Sequence, residues 1–179
     1  GRQIFDLFIE EGAGGVRYFR AKSASPDAIA QGDESVAIGP NTVSAGTSSF
    51  AAGDGAATSL TGEGAIAIGQ AAVAGGDPIG GAGAIAIGRE SQAGADGSVA
   101  LGDGAIATSG NATALGATAL ASGGGSIAIG GAEAVAGNSF AAGSGAFAGS
   151  PGGIALGTGA GVGTVGDQAG DKTHHIAIG

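Results

Sequence analysis

The amino-acid sequence predicts an all-β chain wound as a parallel β-roll, and three observations carry that prediction. A five-residue phrase such as Ser98-Val99-Ala100-Leu101-Gly102 recurs about ten times. Its residues alternate in size with a period of two, which is typical of a short strand. The phrase ends in glycine and usually returns after 14 residues, which indicates a solenoid of stacked coils joined by tight turns.

The copies of this phrase all have alanine at the centre and larger or variable residues on either side. The other copies end at Gly39, Gly53, Gly69, Gly88, Gly116, Gly130, Gly143, Gly157 and Gly179. Three steps are longer than the rest, from 53 to 69, from 69 to 88 and from 157 to 179. The step after Gly130-Gly131 is one residue shorter, and it predicts a bulge or an altered turn.

A second half-phrase follows each glycine and has the inverse pattern, a large residue between two alanines. Each unit therefore contains two short strands and two turns, which favours a two-sheet roll over a three-sided helix. Examples of the half-phrase are Ala72-Val73-Ala74, Ala105-Ile106-Ala107, Ala119-Leu120-Ala121, Ala134-Val135-Ala136 and Ala146-Phe147-Ala148.

The inverse patterns of the two phrases suggest how the sheets pack. We expect the large residues to point into the roll and alanine to face outward on both sheets, because this fills the space between the sheets. The reverse packing, with alanine inside, is the alternative. In the favoured arrangement Ala100 and Ala128 allow subunits to approach closely, so leucine at these positions is expected to disrupt assembly.

Composition bounds the chemistry of the chain. There is no cysteine among the 179 residues, which removes disulfides and thiolate chemistry. The net charge of −9 argues against nucleic acid and anionic lipid as partners. No apolar run is long enough for a transmembrane helix, and no signal peptide is recognisable. The chain starts at Gly1 and ends within a unit at Gly179, so we expect a fragment of a longer protein.

The chain divides into a non-repetitive start and a repetitive body. Residues 1–22 do not follow the repeat, and we interpret them as an N-terminal cap or the tail of a preceding segment; a basic ligand patch at Arg17, Arg20 and Lys22 is the alternative. Residues 23–179 are the β-roll. Two insertions, 75–83 and 163–174, are predicted to form loops on the rim of the roll.

The sequence offers no candidate catalytic, cofactor-binding or metal-binding residue. His174 and His175 are adjacent, so on a strand they point to opposite faces and cannot easily share a metal ion. Acidic residues such as Asp54, Asp96 and Asp103 fall in predicted turns, where aspartate serves local hydrogen bonding. We therefore expect no enzyme and no cofactor.

The repeat resembles the head domain of trimeric autotransporter adhesins, the YadA-like head. The similarity covers roughly residues 15–179. It is carried by phrases such as Ser35-Val36-Ala37-Ile38-Gly39 at a 14-residue step, and by the entering segment Gly15-Val16-Arg17-Tyr18-Phe19-Arg20-Ala21-Lys22-Ser23. Two copies depart from the pattern, because Phe50-Ala51-Ala52 and Phe140-Ala141-Ala142 replace the aliphatic pair by Phe plus Ala.

The resemblance implies several properties that the pattern alone does not give. Such heads are left-handed β-rolls that associate as homotrimers on the surface of Gram-negative bacteria, where a stalk and an outer-membrane anchor outside this sequence hold them. They attach, often in virulence, to host extracellular matrix or to host cells. No ligand-binding residue can be carried over. The rim loops 75–83 and 163–174 are the first candidates, and simple tolerated insertions are the alternative.

Two other functions are compatible with a repetitive glycine-rich roll. One is a structural spacer without ligand binding, which the sequence does not distinguish from an adhesin. The other is an acyltransferase of the hexapeptide-repeat type, which predicts a coil of 18 residues and a catalytic histidine. The 14-residue step and the confinement of both histidines to the last residues argue against that enzyme.

Overall fold

The structure, a computed structural model, describes residues 25–76, 80–163 and 175–179. Within these ranges twenty short strands alternate between two sheets, and there is no helix. The first sheet contains β2 Val36–Ile38, β4 Phe50–Ala52, β6 Ile66–Ile68, β8 Ile85–Ile87, β10 Val99–Leu101, β12 Thr113–Leu115, β14 Ile127–Ile129, β16 Phe140–Ala142, β18 Ile154–Leu156 and β20 Ile176–Ile178. The second sheet contains β1 Ile29–Ala30, β3 Val43–Ser44, β5 Ala57–Thr58, β7 Val73–Ala74, β9 Gln92–Ala93, β11 Ile106–Ala107, β13 Leu120–Ala121, β15 Glu133–Ala134, β17 Phe147–Ala148 and β19 Gly161–Val162.

Every strand pairs in parallel with the equivalent strand of the neighbouring coil. In the first sheet Val99 lies beside Ile85 on one side and Thr113 on the other. In the second sheet Ile106 lies between Gln92 and Leu120 in the same way. The predicted parallel solenoid with two strands in each coil is therefore confirmed. It has nine complete coils, and β1 and β20 form a half-coil at either end.

The predicted direction of the side chains is wrong, because alanine fills the interior and the large residues face outward. Ala100 and Ala128 are completely buried, whereas the neighbouring Leu101 is 36% exposed. The same holds in the second sheet, where Ala105 and Ala107 are buried and Ile106 between them points out. Short turns hold the two sheets of each coil too close for leucine or isoleucine to fit between them.

The buried polar groups are small, and most are hydrogen-bonded within the coil. Serines that precede first-sheet strands donate from Oγ to the carbonyl three residues earlier, as Ser49 does to Gly46 at 2.6 Å and Ser98 to Ala95 at 2.6 Å. Ser49 Oγ also lies 2.9 Å from Thr58 Oγ1. Such bonds remove the cost of burying a hydroxyl group in a narrow interior.

The shortened step after Gly130 is an altered turn, as predicted. Three residues separate β14 from β15, where four separate β10 from β11. Gly130 and Gly131 have φ angles of 72° and 69°, which an L-residue rarely adopts. The half-phrase predicted next, Ala134-Val135-Ala136, is one frame off. Glu133 is the outward residue, beside Leu120 and Phe147, and Ala134 is buried.

Candidate functional site

The insertions all occur at the same turn of the coil, the one that leads from a second-sheet strand to the next first-sheet strand. In the standard coil this turn is residues 108–112, between β11 and β12. The turn lengthens to 59–65 after β5, to 75–84 after β7 and to 163–175 after β19. Long turns therefore accumulate along one edge of the solenoid. We call this the loop edge, made of 59–64, 75–83 and 163–174.

Hydrogen bonds join the first two loops of the loop edge to each other. Thr61 Oγ1 donates to the Gly80 carbonyl at 3.0 Å and lies 3.2 Å from Ser59 Oγ. The Gly83 amide donates to the Glu63 carbonyl at 2.8 Å. Leu60 lies at the tip of the first loop and is 65% exposed. The two loops thus form one raised surface that carries an exposed apolar side chain.

Asp96, in the turn one coil further on, supports the second loop. Its Oδ1 accepts hydrogen bonds from the Gly81 amide at 2.6 Å and from the Ala82 amide at 3.0 Å. These two bonds favour the ionised carboxylate and lower the pKa of Asp96 below its ordinary value of 3.8. The charged form of Asp96 therefore holds the end of the loop that reaches residue 80.

We expect Asp96→Ala to release this loop end without unfolding the solenoid. In the unmodified chain the contribution of Asp96 is complete at neutral pH and is lost as the pH falls below 3.8 through the lowered pKa, because protonation weakens both bonds. The amide chemical shifts of Gly81 and Ala82 should therefore titrate there, and in the variant they should not. Asp103→Ala, on the opposite edge, is the control, and its Gly81 and Ala82 shifts should titrate as in the unmodified chain.

The sequence-predicted loops are described only in part. Residues 77–79 of the loop 75–83 and residues 164–174 of the loop 163–174 lie outside the described ranges, as does the N-terminal segment 1–22. His174 is among them, while His175 immediately precedes β20. Within the described ranges no group of three or more His, Cys, Asp or Glu residues is placed to hold a metal ion.

The loop 59–64 is a part of the loop edge that sequence reasoning did not name as a candidate. Its signal was the step of 16 residues between Gly53 and Gly69, two more than the standard step. Those two extra residues allow Leu60 and Thr61 to reach the neighbouring loop.

The opposite edge carries the charged contacts of the described solenoid. Arg89, the one Lys or Arg within the described ranges, donates to Asp103 at 2.6 Å and to Glu90 at 2.8 Å. All three side chains are more than half exposed, so these ion pairs add little stability. The surface of the described solenoid is otherwise acidic, which is unfavourable for acidic partners.

The two outer sheet faces differ in polarity. Each first-sheet strand presents its first and third residues outward, and in the ten strands these residues are apolar except Thr113. Each second-sheet strand presents one residue outward, and that column is interrupted by Gln92, Glu133 and Gly161. The first sheet is thus a continuous uncharged surface, whereas the second is mixed.

A family model described as the YadA head domain repeat matches residues 30–56, 61–77, 80–105 and 107–132, just over half of the chain. The chain belongs to the YadA-like head family of trimeric autotransporter adhesins. No curated protein matches the head domain. Two breaks in the match, at 57–60 and 78–79, fall at or beside the loops 59–64 and 75–83, as expected for insertions into a regular repeat.

Membership of this family settles the class of the head domain. The YadA head is a structural domain of adhesin type and not an enzyme family, and its members belong to surface proteins anchored in the outer membrane. The two-stranded coils also differ from the 18-residue coil that the acyltransferase alternative predicts. Among the described residues no helix has the length and hydropathy required to span a membrane.

Proposed function

We propose that this domain is the left-handed, homotrimeric head of a bacterial surface adhesin, which attaches to host extracellular matrix or host cells through many similar contacts. The observation that carries the proposal is the inverted packing. Within the described solenoid the fully buried side chains are alanine, serine and threonine, while isoleucine, leucine and phenylalanine lie on the outer faces. Large apolar residues are normally buried, so these faces call for cover.

The first sheet is the face best suited to self-association. Its outward residues form two apolar columns without a charge, and Val36, Ile38, Ile87 and Ile129 are between 37% and 44% exposed. Ten strands about 4.8 Å apart and three residues wide make a face of roughly 45 Å by 10 Å. Three copies bury about 1,300 Å² of projected area, which exceeds the roughly 1,000 Å² expected for a stable interface.

We expect Val99→Glu to dissociate the trimer and Ile106→Glu to leave it intact. Val99 and Ile106 belong to one coil, are similarly half-buried and lie on different sheets. A glutamate at 99 interrupts the uncharged face, whereas the column of Ile106 already contains Glu133. Light scattering behind a sizing column measures the effect: the unmodified chain and Ile106→Glu should give three times 16.2 kDa, and Val99→Glu one times.

The same measurement can contradict the arrangement. A folded, monomeric unmodified chain would exclude the trimer. Dissociation by Ile106→Glu but not by Val99→Glu would place the interface on the second sheet. Circular dichroism of both variants shows whether each chain keeps its β structure, so that loss of mass is not confused with unfolding.

Attachment follows from the surfaces that a first-sheet interface leaves free, the second sheet and the loop edge. Three copies of both surfaces, each with a repeat of about 4.8 Å, suit a repetitive ligand, because weak contacts add up to avidity. Immobilised collagen, fibronectin and laminin are the probes. We expect saturable binding by the trimer and much weaker binding by Val99→Glu at equal chain concentration. A trimer that binds no matrix protein and no host cell would instead be a spacer.

A further inference from the structure

The repeat leaves the alignment between neighbouring chains of the proposed trimer ambiguous. Successive first-sheet strands present nearly the same outward pair, as in Ile66 with Ile68 and Ile85 with Ile87. A slip of one coil, about 4.8 Å, would exchange like for like along the whole face and lose contact only at the ends. Uniform coils therefore do not define how high one chain sits against the next.

Two strands of the first sheet break this uniformity in the same way. β4 presents Phe50 and Ala52 outward, and β16 presents Phe140 and Ala142. In each, the first outward position gains a ring and the second loses an aliphatic side chain. The strands on both sides keep the ordinary pair: Val36 with Ile38 and Ile66 with Ile68 flank β4, and Ile127 with Ile129 and Ile154 with Leu156 flank β16.

The exchange of sizes concerns the outer face and not the interior of the coil. Ala51 and Ala141, which point inward from β4 and β16, are completely buried like the central alanines of the neighbouring coils. Nothing in the core therefore requires phenylalanine at 50 or 140, or alanine at 52 or 142. What requires them has to lie on the side of the sheet that faces another molecule.

We propose that the Phe–Ala pairs 50/52 and 140/142 fix the register between copies of this chain, with the ring of one copy filling the space above the alanine of the next. This inference rests on the proposed trimer. A threefold interface is heterologous, so the first outward residue of one strand meets the third residue of the equivalent strand in the next copy. Only at equal height does the ring meet the alanine.

A slip of one coil carries a double cost. Each ring then meets an isoleucine, a leucine or a valine instead of an alanine, and each alanine faces an aliphatic residue across a gap. The two pairs lie six strands apart in the first sheet. A slip of six coils would restore one match while abandoning most of the face, so both pairs match only at zero slip.

The test is a chain in which both pairs are moved by one coil at constant composition. A tagged unmodified chain is unfolded and refolded with an equal amount of an untagged chain, and the captured untagged chain is quantified. The control exchanges two ordinary coils. The moved-pair chain carries Phe50→Ile, Ala52→Ile, Ile66→Phe, Ile68→Ala, Phe140→Ile, Ala142→Leu, Ile154→Phe and Leu156→Ala, and the control carries Ile85→Val, Ile87→Leu, Val99→Ile and Leu101→Ile.

We expect the control to be captured as well as the unmodified chain and the moved-pair chain at least tenfold less, while each chain alone gives the mass of a trimer. Equal capture of the moved-pair chain and the control would overturn the register role and leave the trimer standing. A monomeric unmodified chain would instead overturn the trimer itself. Should the moved-pair chain not fold, a chain with isoleucine at 50, 52, 140 and 142 replaces it, and the same exclusion is expected.

Discussion

Ala100→Leu is expected to destabilise each chain from within, by about 3 kcal/mol in the free energy of unfolding. Ala100 is completely buried, with Ala86 and Ala114 beside it in the neighbouring coils, both also completely buried. Leucine adds three carbon atoms where facing strands are separated only by alanine methyl groups, so the sheets have to part. Urea unfolding followed by circular dichroism measures the loss, and Ala128→Leu should behave in the same way.

The matched control for this prediction is Ala57→Leu. Ala57 lies on the second sheet between Val43 and Val73 and faces outward, where neighbouring coils already carry larger residues. The same chemical change should therefore alter the unfolding free energy by less than about 0.5 kcal/mol. If Ala100→Leu were as stable as Ala57→Leu but failed to assemble, the original interpretation of alanine as a subunit contact would be restored.

Gly102→Ala is expected to cost roughly 3 kcal/mol or more. Gly102 has a φ of 141°, a region that residues with a side chain avoid at a cost of about 1–3 kcal/mol. A Cβ there would also lie 2.6 Å from the carbonyl carbon and oxygen of Gly116 in the next coil. Relief would require neighbouring coils to separate, which breaks backbone hydrogen bonds. The midpoint of urea unfolding should fall sharply.

Gly104→Ala, two residues away in the same turn, is the control for Gly102→Ala. Gly104 has a φ of 63°, and nothing lies within 4 Å of the position of its Cβ. The equivalent residue of the next coil is Thr118, with a φ of 58°, so the turn accepts a side chain there. The expected cost is about 1 kcal/mol. Equal losses at 102 and 104 would show that close approach between coils is not what requires Gly102.

Much of the fold could be predicted from the sequence because its main determinant is local. The period-2 phrase, the terminal glycine and the recurring step indicate strands, turns and coils without any knowledge of contacts between distant residues. The altered turn at Gly130 and the rim position of 75–83 could be predicted on the same basis. The frame error at Glu133 arose because a large residue between two alanines was expected, and the chain places a charge there instead.

The direction of the side chains could not be obtained from alternation alone. Alternation shows that two faces differ, but the usual rule that large apolar residues lie inside fails when the interior is only as wide as two methyl groups. The decisive signal was present, since the central residue of the phrase is alanine in every copy while its neighbours vary from threonine to phenylalanine. A position that tolerates one size is a confined position.

The loop edge shows a different limit of the sequence. Step lengths locate extra residues, yet they do not show that Thr61 reaches Gly80 or that Asp96 holds Gly81 from another coil. Such contacts depend on how successive turns are stacked, which emerges only from the three-dimensional winding.

The alanine interior has a consequence for how such a domain changes over generations. Because each coil offers its neighbours nearly the same inner surface, a 14-residue unit can be duplicated or lost without repacking the rest. Each such event lengthens or shortens the rod by about 4.8 Å and leaves its cross-section unchanged. Reach away from the cell is then a quantity that recombination between near-identical DNA segments can adjust in equal increments.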